Sequence, residues 1–358
     1  MKYSFYELLN IVYERKASDL HIAAFQPPRI RIDGVLKPLE ADPLTPTESK
    51  ELIYTILSSR QKKMFEEDME IDFSFGMEKV GRFRGNVFLQ RGAVSGAFRR
   101  IHSEILGFEE LGIPYRVQQL CNLPKGLILV TGPTGSGKST SLACMIEHIN
   151  KLRDLHIVTI EDPIEYFFTS KKAHINQREL LSDTMSFKRA LKSVLREDPD
   201  VVFVGEMRDH ETVEATLRVA ETGHLTFSTL HTNSSAESIS RIVDIFPPEN
   251  QQQARVMLSM TLEAILNQSL LPHISGDGLV LAMEIMIPNS AIRNLIRENK
   301  IHQINSTMQI GQKEFGMITM NQSLFKLYSS KKISYETAMS ASKMPDDLLD
   351  IIERWKRN

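Results

Sequence analysis

Gly132-Pro133-Thr134-Gly135-Ser136-Gly137-Lys138-Ser139-Thr140 fits the pattern G-x-x-x-x-G-K-[ST], the phosphate-binding loop. The apolar run Gly126–Thr131 before it reads as a buried strand, and Ser139–Asn150 after it has helical spacing at Leu142, Met145, Ile146 and Ile149. Strand, glycine loop and helix are the context in which such a loop holds phosphate. Glycines let backbone N–H groups curl around an anion, and the helix start adds partial positive charge. Lys138 is placed to reach β- and γ-phosphates, and the Ser139 hydroxyl to ligate Mg²⁺.

Downstream, strands alternate with helices: His156–Ile160, then helix 186–196; Asp200–Val204, then helix 209–221; Leu225–Ser228 and later Leu279–Ile287. This order predicts an α/β domain with a largely parallel sheet. From about residue 288 the chain reads as helical to its end. Upstream, residues 1–102 predict a small α+β domain. It has a helix with Phe5, Leu8, Leu9 and Val12 on one face, a hairpin turning at Asp33-Gly34, two further helices near 45–57 and 60–67, and three strands across 70–101. Residues 103–124 read as a linker ending in a short helix, and 125–358 as the second domain.

The 358 residues are 42% hydrophobic and 25% charged, with a net charge of −2, so no basic field is available for nucleic acid. No run of 18 apolar residues occurs, which predicts a cytoplasmic protein with at most peripheral membrane contact. Two cysteines, Cys121 and Cys144, are too few for a four-ligand zinc module and are expected as reduced thiols.

In parallel sheets, chemistry collects at the carboxyl ends of the strands. One such end, Asp198 to Glu206, delivers Glu206, which is expected close to a γ-phosphate, where it could polarise the attacking water. Gly205 stands where an acidic residue is usual, so Mg²⁺ needs help from another strand end. Thr159-Ile160-Glu161-Asp162-Pro163-Ile164-Glu165 supplies it, with Glu161 and Asp162 as outer-shell candidates acting through water and Glu165 as a secondary one. His224 and His231 bracket the strand at 225–228, and His231 stands at its exit, suited to donating a hydrogen bond to a γ-phosphate.

On the strand at 82–90, Arg82, Arg84, Asn86 and Gln90 share one face, and Phe83, Val87 and Leu89 the other, with Arg99 or Arg100 adding charge across the hairpin. Such a row suits phosphate or carboxylate binding, or is a solvated face paired with acidic neighbours. Ala291, Ile292, Leu295 and Ile296 form an apolar stripe, with Arg293 and Arg297 one turn apart on another face.

Taken together, these motifs resemble the retraction ATPases of type IV pili, the PilT family, within the secretion ATPases. The resemblance spans nearly the whole chain, from Ala17-Ser18-Asp19-Leu20-His21 onward. Residues 160–165 look like that family's Asp box, 204–209 like its Walker B, and 220–233 like its His box. Ala291-Ile292-Arg293-Asn294-Leu295-Ile296-Arg297-Glu298 looks like the helix tied to retraction. The resemblance implies a PAS-like domain joined to a RecA-like P-loop ATPase domain, a homo-hexamer and ATP held between the domains. It also implies Mg²⁺ and a place at the inner membrane beside the pilus platform protein, with a paralogous retraction ATPase as a further partner. In that picture Arg84 and Arg99 act on the phosphates, with Arg178 and Arg208 as secondary candidates. The competing expectations are a pilus-assembly or type II secretion ATPase, a nucleic-acid translocase, and an accessory subunit of a separate retraction motor.

Overall fold

A computed structural model of the full chain describes residues 2–32, 34–77, 80–101 and 104–357. Asp33, half of the expected hairpin turn, lies outside them. The chain divides into two compact units. One comprises residues 1–104 with Pro163–Phe167, the other 105–162 with 168–358.

In the first unit, the strands are β1 (Asp19–Ile22), β2 (Arg29–Ile32), β3 (Val35–Pro38), β4 (Glu70–Met77), β5 (Gly81–Gln90) and β6 (Ala93–Ile101). They form an antiparallel sheet in the order β3-β2-β1-β6-β5-β4. Helices Phe5–Glu14, Pro46–Tyr54 and Ser59–Asp68 each begin at a capping box, made by Ser4 with Glu7, Thr45 with Glu48, and Ser58 with Gln61. Phe5, Leu20, Ile30, Phe83, Val87 and Phe98 are buried together, so one sheet face is core. Leu89, expected on that face, is 42% exposed, close to the turn that ends β5.

The second unit contains β7 (Gly126–Thr131), β8 (His156–Glu161), β9 (His174–Glu179), β10 (Val201–Val204), β11 (Leu225–Leu230), β12 (Leu262–Pro272) and β13 (Leu279–Met286), in the order β13-β12-β7-β11-β10-β8-β9. Each neighbouring pair from β12 to β9 is parallel, and β13 closes one edge antiparallel to β12. β7, β10 and β11 are buried at nearly every position, as a sheet covered on both faces requires. Residues 105–124 differ from the expected linker. They belong to the second unit, where Ile113, Val117, Leu120 and Cys121 pack with β7 residues. Burial pushes the Cys121 and Cys144 thiols up to about 12, in keeping with inert, packed cysteines. Among the described residues, no helix is long and apolar enough to cross a membrane.

Candidate functional site

The phosphate loop joins β7 to helix Lys138–Leu152. Gly132, Gly135 and Gly137 have φ of 143°, 79° and 85°, conformations that L side chains rarely adopt. At Gly132 a Cβ would also lie 2.4 Å from the Gln268 carbonyl oxygen and 2.6 Å from Ser136 Oγ. Gly137 caps the helix with no side-chain acceptor, which leaves the first-turn amides to the loop's concave side. Ser136 Oγ is buried and makes no hydrogen bond among the described residues. A curled backbone, uncapped amides and an orphaned hydroxyl fit a bound phosphate chain.

Because β7, β8, β10 and β11 are parallel, their carboxyl ends form one rim. Lys138 is 8% exposed and donates from Nζ to the carbonyls of Gly132 (2.8 Å) and Pro133 (2.9 Å). Its Nζ is also 3.5 Å from His231 Nδ1. His231 Nε2 is 3.3 Å from Glu206 Oε1, so an imidazole with its proton on Nε2 satisfies both neighbours. Glu206 Oε2 accepts from Arg208 Nε at 2.8 Å, and Arg208 Nη1 is 3.7 Å from Asp162 Oδ2. A continuous polar chain therefore runs Lys138–His231–Glu206–Arg208–Asp162. Topology makes this possible, since β11 stands between β7 and β10 and its exit residue His231 bridges the two.

Gly205 explains the close fit of the neighbouring strand ends. Its N–H donates to the Ile160 carbonyl at 2.8 Å, and a Cβ there would sit 3.3 Å from Glu161 Cα. Glu161 is 5% exposed and accepts from Thr159 Oγ1 (2.7 Å) and Gln177 Nε2 (3.2 Å), whereas the Asp162 side chain is 40% exposed. The Ser139 hydroxyl makes no hydrogen bond among the described residues and stands in the first helical turn. Among those residues no group of three or more His, Cys, Asp or Glu side chains could hold a metal ion by itself. One hydroxyl with nearby carboxylates suits Mg²⁺, which keeps several waters and shares itself with substrate phosphates.

Other expected residues lie elsewhere. His224 is at the opposite end of β11, where its Nδ1 faces the Val219 carbonyl (3.0 Å) and Thr222 Oγ1 (3.1 Å); it finishes a helix and does not join the rim. Arg178, on the edge strand β9, is engaged with Glu197 at 2.8 Å. Glu165 is exposed within the segment 163–167 that folds with the first unit. Arg84 and Arg99 belong to the first unit and are direct cross-strand neighbours. In helix Ser290–Arg297, capped by Asn289, the inward stripe is narrower than expected: Ile292 and Ile296 are fully buried, Leu295 is half-buried and Ala291 is exposed. Arg293 is tied down, donating to the Ser259 carbonyl (2.7 Å) and to Glu263 (2.9 Å).

Two residues on β12 also build the site, although no motif marks them. Asn267 Nδ2 donates to Thr131 Oγ1 and to the Thr232 carbonyl, both at 2.9 Å, pinning the segment after His231 to the end of β7. Gln268 Nε2 donates to Ser141 Oγ at 2.7 Å, fixing the helix that carries Lys138. Their one sequence signal is the polar triplet Asn267-Gln268-Ser269 inside the mostly apolar stretch Leu262–Leu271.

The family model described as Type II/IV secretion system protein matches residues 3–344. The chain belongs to that family. It is 48% identical, over 95% of its own length and 98% of the relative's, to the type IV pilus retraction ATPase PilT of Pseudomonas aeruginosa. It is 47% identical to a twitching motility protein of Neisseria gonorrhoeae, covering 94% and 90% of the two chains. Among solved structures, the pilus retraction motor PilT with bound ADP superposes with a TM-score of 0.91 at 53% identity, over 97% of this chain and 99% of that one. A PilT-type architecture, with a RecA-like ATPase fold in the second unit, follows from that likeness.

Proposed function

We propose that this protein is an ATP-hydrolysing motor subunit that powers retraction of type IV pili. The observation that carries the proposal is the polar chain joining the phosphate-loop lysine, through His231, to Glu206 on one rim. Lys138 and the loop amides hold the β- and γ-phosphates. Glu206 orients the attacking water and takes its proton, and His231 keeps the Glu206 carboxylate directed toward the phosphate end. Arg208 competes for the same carboxylate, so Glu206 exchanges that ion pair for water during turnover. Ser139 would hold Mg²⁺ directly and Glu161 and Asp162 through water, and the ion, when bound, would neutralise phosphate charge. Arg84 and Arg99 supply further positive charge to the phosphates. The subunit works as a homo-hexamer on the cytoplasmic side of the inner membrane, against a platform protein and alongside a paralogous retraction ATPase, without nucleic acid.

Glu206→Gln tests the chemistry, because it keeps the shape and removes the base. Binding of a fluorescent ATP analogue should stay near wild type while phosphate release falls to background. Wild-type turnover in that variant refutes the assignment. In cells, deletion should abolish retraction and leave surface pili, whereas bald cells would assign the protein to pilus assembly.

A further inference from the structure

The face of the first unit's sheet opposite the aromatic core carries a transverse row. Each member is the direct cross-strand neighbour of the next: Arg31 on β2, Asp19 on β1, Arg99 on β6 and Arg84 on β5. Directly opposed residues share a face, so three guanidinium groups and one carboxylate stand side by side. Of these, the Asp19 side chain is 9% exposed, whereas that of Arg99 is 73% exposed. Arg99 Nε donates to Asp19 Oδ1 at 2.8 Å, and its two terminal nitrogens make no hydrogen bond among the described residues.

We infer that Asp19 is a positioning residue for Arg99, gripping the guanidinium by Nε so that both terminal nitrogens remain presented to phosphate oxygens. The inference rests on the proposal that Arg99 acts on the phosphates. An exposed arginine samples many rotamers and loses that freedom whenever it binds. A buried carboxylate at Nε removes much of the loss beforehand and leaves the outward edge as a two-pronged donor.

Asp19 is itself immobilised. Its Oδ2 accepts from Ser18 Oγ at 2.7 Å, and the Ser18 backbone is bonded on both sides, to Arg31 and to Arg100. Arg31 Nε approaches Oδ2 at 3.7 Å, but Arg31 also donates to the Gly34 carbonyl. Burial alone would raise the carboxyl pKa, yet the hydrogen bonds from Ser18 and Arg99 and the charge of Arg99 hold it below its ordinary value. Asp19 is therefore a carboxylate at neutral pH. Without its charge, Arg99 would keep the like-charged Arg84 directly beside it, and Arg31 two strands away, with no carboxylate between them, and repulsion would drive the guanidinium out of register. With it, the row keeps a net positive charge for an anion to neutralise.

A double-mutant cycle in the full-length chain, read by steady-state ATP hydrolysis, separates positioning from simple support of the fold. Asp19→Asn should lower kcat about fivefold with KM for ATP changed less than about twofold, the size expected when a transition-state contact is loosened without being deleted. In the Arg99→Ala background the same change should alter kcat by less than about twofold, since nothing is left to position. Asp19→Glu, which keeps the charge, should recover most of the loss. Equal losses from Asp19→Asn in both backgrounds would mean a structural role only, and wild-type kcat in Asp19→Asn beside an impaired Arg99→Ala would also overturn the inference. Wild-type kcat in Arg99→Ala would instead remove the underlying reading of Arg99. Should Asp19→Asn fail to fold, Ser18→Ala leaves the carboxylate in place but frees its Oδ2. It should lower kcat about twofold, and only where Arg99 is present.

Discussion

Replacing Gly205 by alanine should slow ATP turnover by about threefold to tenfold while leaving the fold intact. Gly205 follows the last residue of β10 and immediately precedes Glu206, and its N–H is bonded to the Ile160 carbonyl of the adjacent strand. A methyl group there would meet Glu161 Cα at 3.3 Å, the Ile160 carbonyl oxygen at 3.4 Å and Asp162 N at 3.7 Å. These are backbone atoms of a strand paired on both sides, so no flexible side chain can swing away. The two strand ends must separate by about 0.3–0.5 Å to restore ordinary contact, and overpacking of this kind typically costs about 1–3 kcal/mol. The residues carried on those ends are Glu206 on one side and Asp162 on the other. A misplacement of about 1 Å at a reacting group costs roughly a hundredfold, so a few tenths of that distance gives the range stated. Phosphate release at saturating MgATP reads the rate, and thermal unfolding of the same preparation reads the strain. Wild-type turnover together with an unchanged Tm would refute the reasoning, because it would mean that nothing there requires the bare backbone. Gly205→Asp, which installs an acidic side chain at the same point, should be worse than alanine. Its carboxylate adds bulk against Glu161 and repulsion beside it.

Glu147, on the helix that follows the phosphate loop, gives a pH signature. Burial would raise its pKa, but hydrogen bonds from Lys171 and Asn150 and the charges of Lys171 and Lys151 outweigh this and hold it below the ordinary glutamate value. A depressed folded-state pKa adds stability that is complete above the unfolded pKa and disappears as pH falls through the folded one. The stability gap between wild type and Glu147→Gln, from denaturant unfolding, should therefore be full at pH 7 and shrink once pH drops below the usual glutamate range; a gap constant to pH 3 would contradict it. Arg293→Ala should destabilise the second unit by about 1–3 kcal/mol, since it strips a charged donor from the Ser259 carbonyl and an ion pair from Glu263. Unfolding midpoints measure this, and an unchanged midpoint would show that Arg293 serves the surface alone.

The parts of the site that travel as contiguous strings were legible before any fold was known. The phosphate loop and the strand delivering Glu206 each announce themselves by an apolar run followed by polar residues, because a strand buried on both faces is mostly apolar and stops where chemistry begins. The strand leading to His231, Leu225-Thr226-Phe227-Ser228-Thr229-Leu230, is by contrast buried throughout although half of it is polar. What stayed hidden depends on pairing. β12 runs on from helix Gln251–Thr261 with no turn residue between them, and Leu262, Ile265 and Leu266 continue a helix-like spacing. It becomes a strand because β7 offers it a parallel edge and β13 an antiparallel one, and no local propensity records that offer. β9, with the sequence His174-Ile175-Asn176-Gln177-Arg178-Glu179, is too polar to look like a strand and exists by pairing along β8. His224 and His231 bracket one short strand in the sequence, and the parallel sheet puts 231 on the rim and 224 at the opposite end, against the Val219 carbonyl.

The consequence reaches the chemistry, because the residues that set the geometry of the rim come from the hidden strand. Asn267 spans from β7 to the Thr232 carbonyl, one residue beyond His231, and Gln268 grips the helix beginning at Lys138. The distance between Lys138 and His231 is thus set by a strand that contributes no catalytic group. Two adjacent side chains on opposite faces of one strand hold the two halves of the phosphate site against each other. A motif can name the lysine, the histidine and the glutamate, but their spacing belongs to β12. That spacing allows one imidazole to face an ammonium on one nitrogen and a carboxylate on the other.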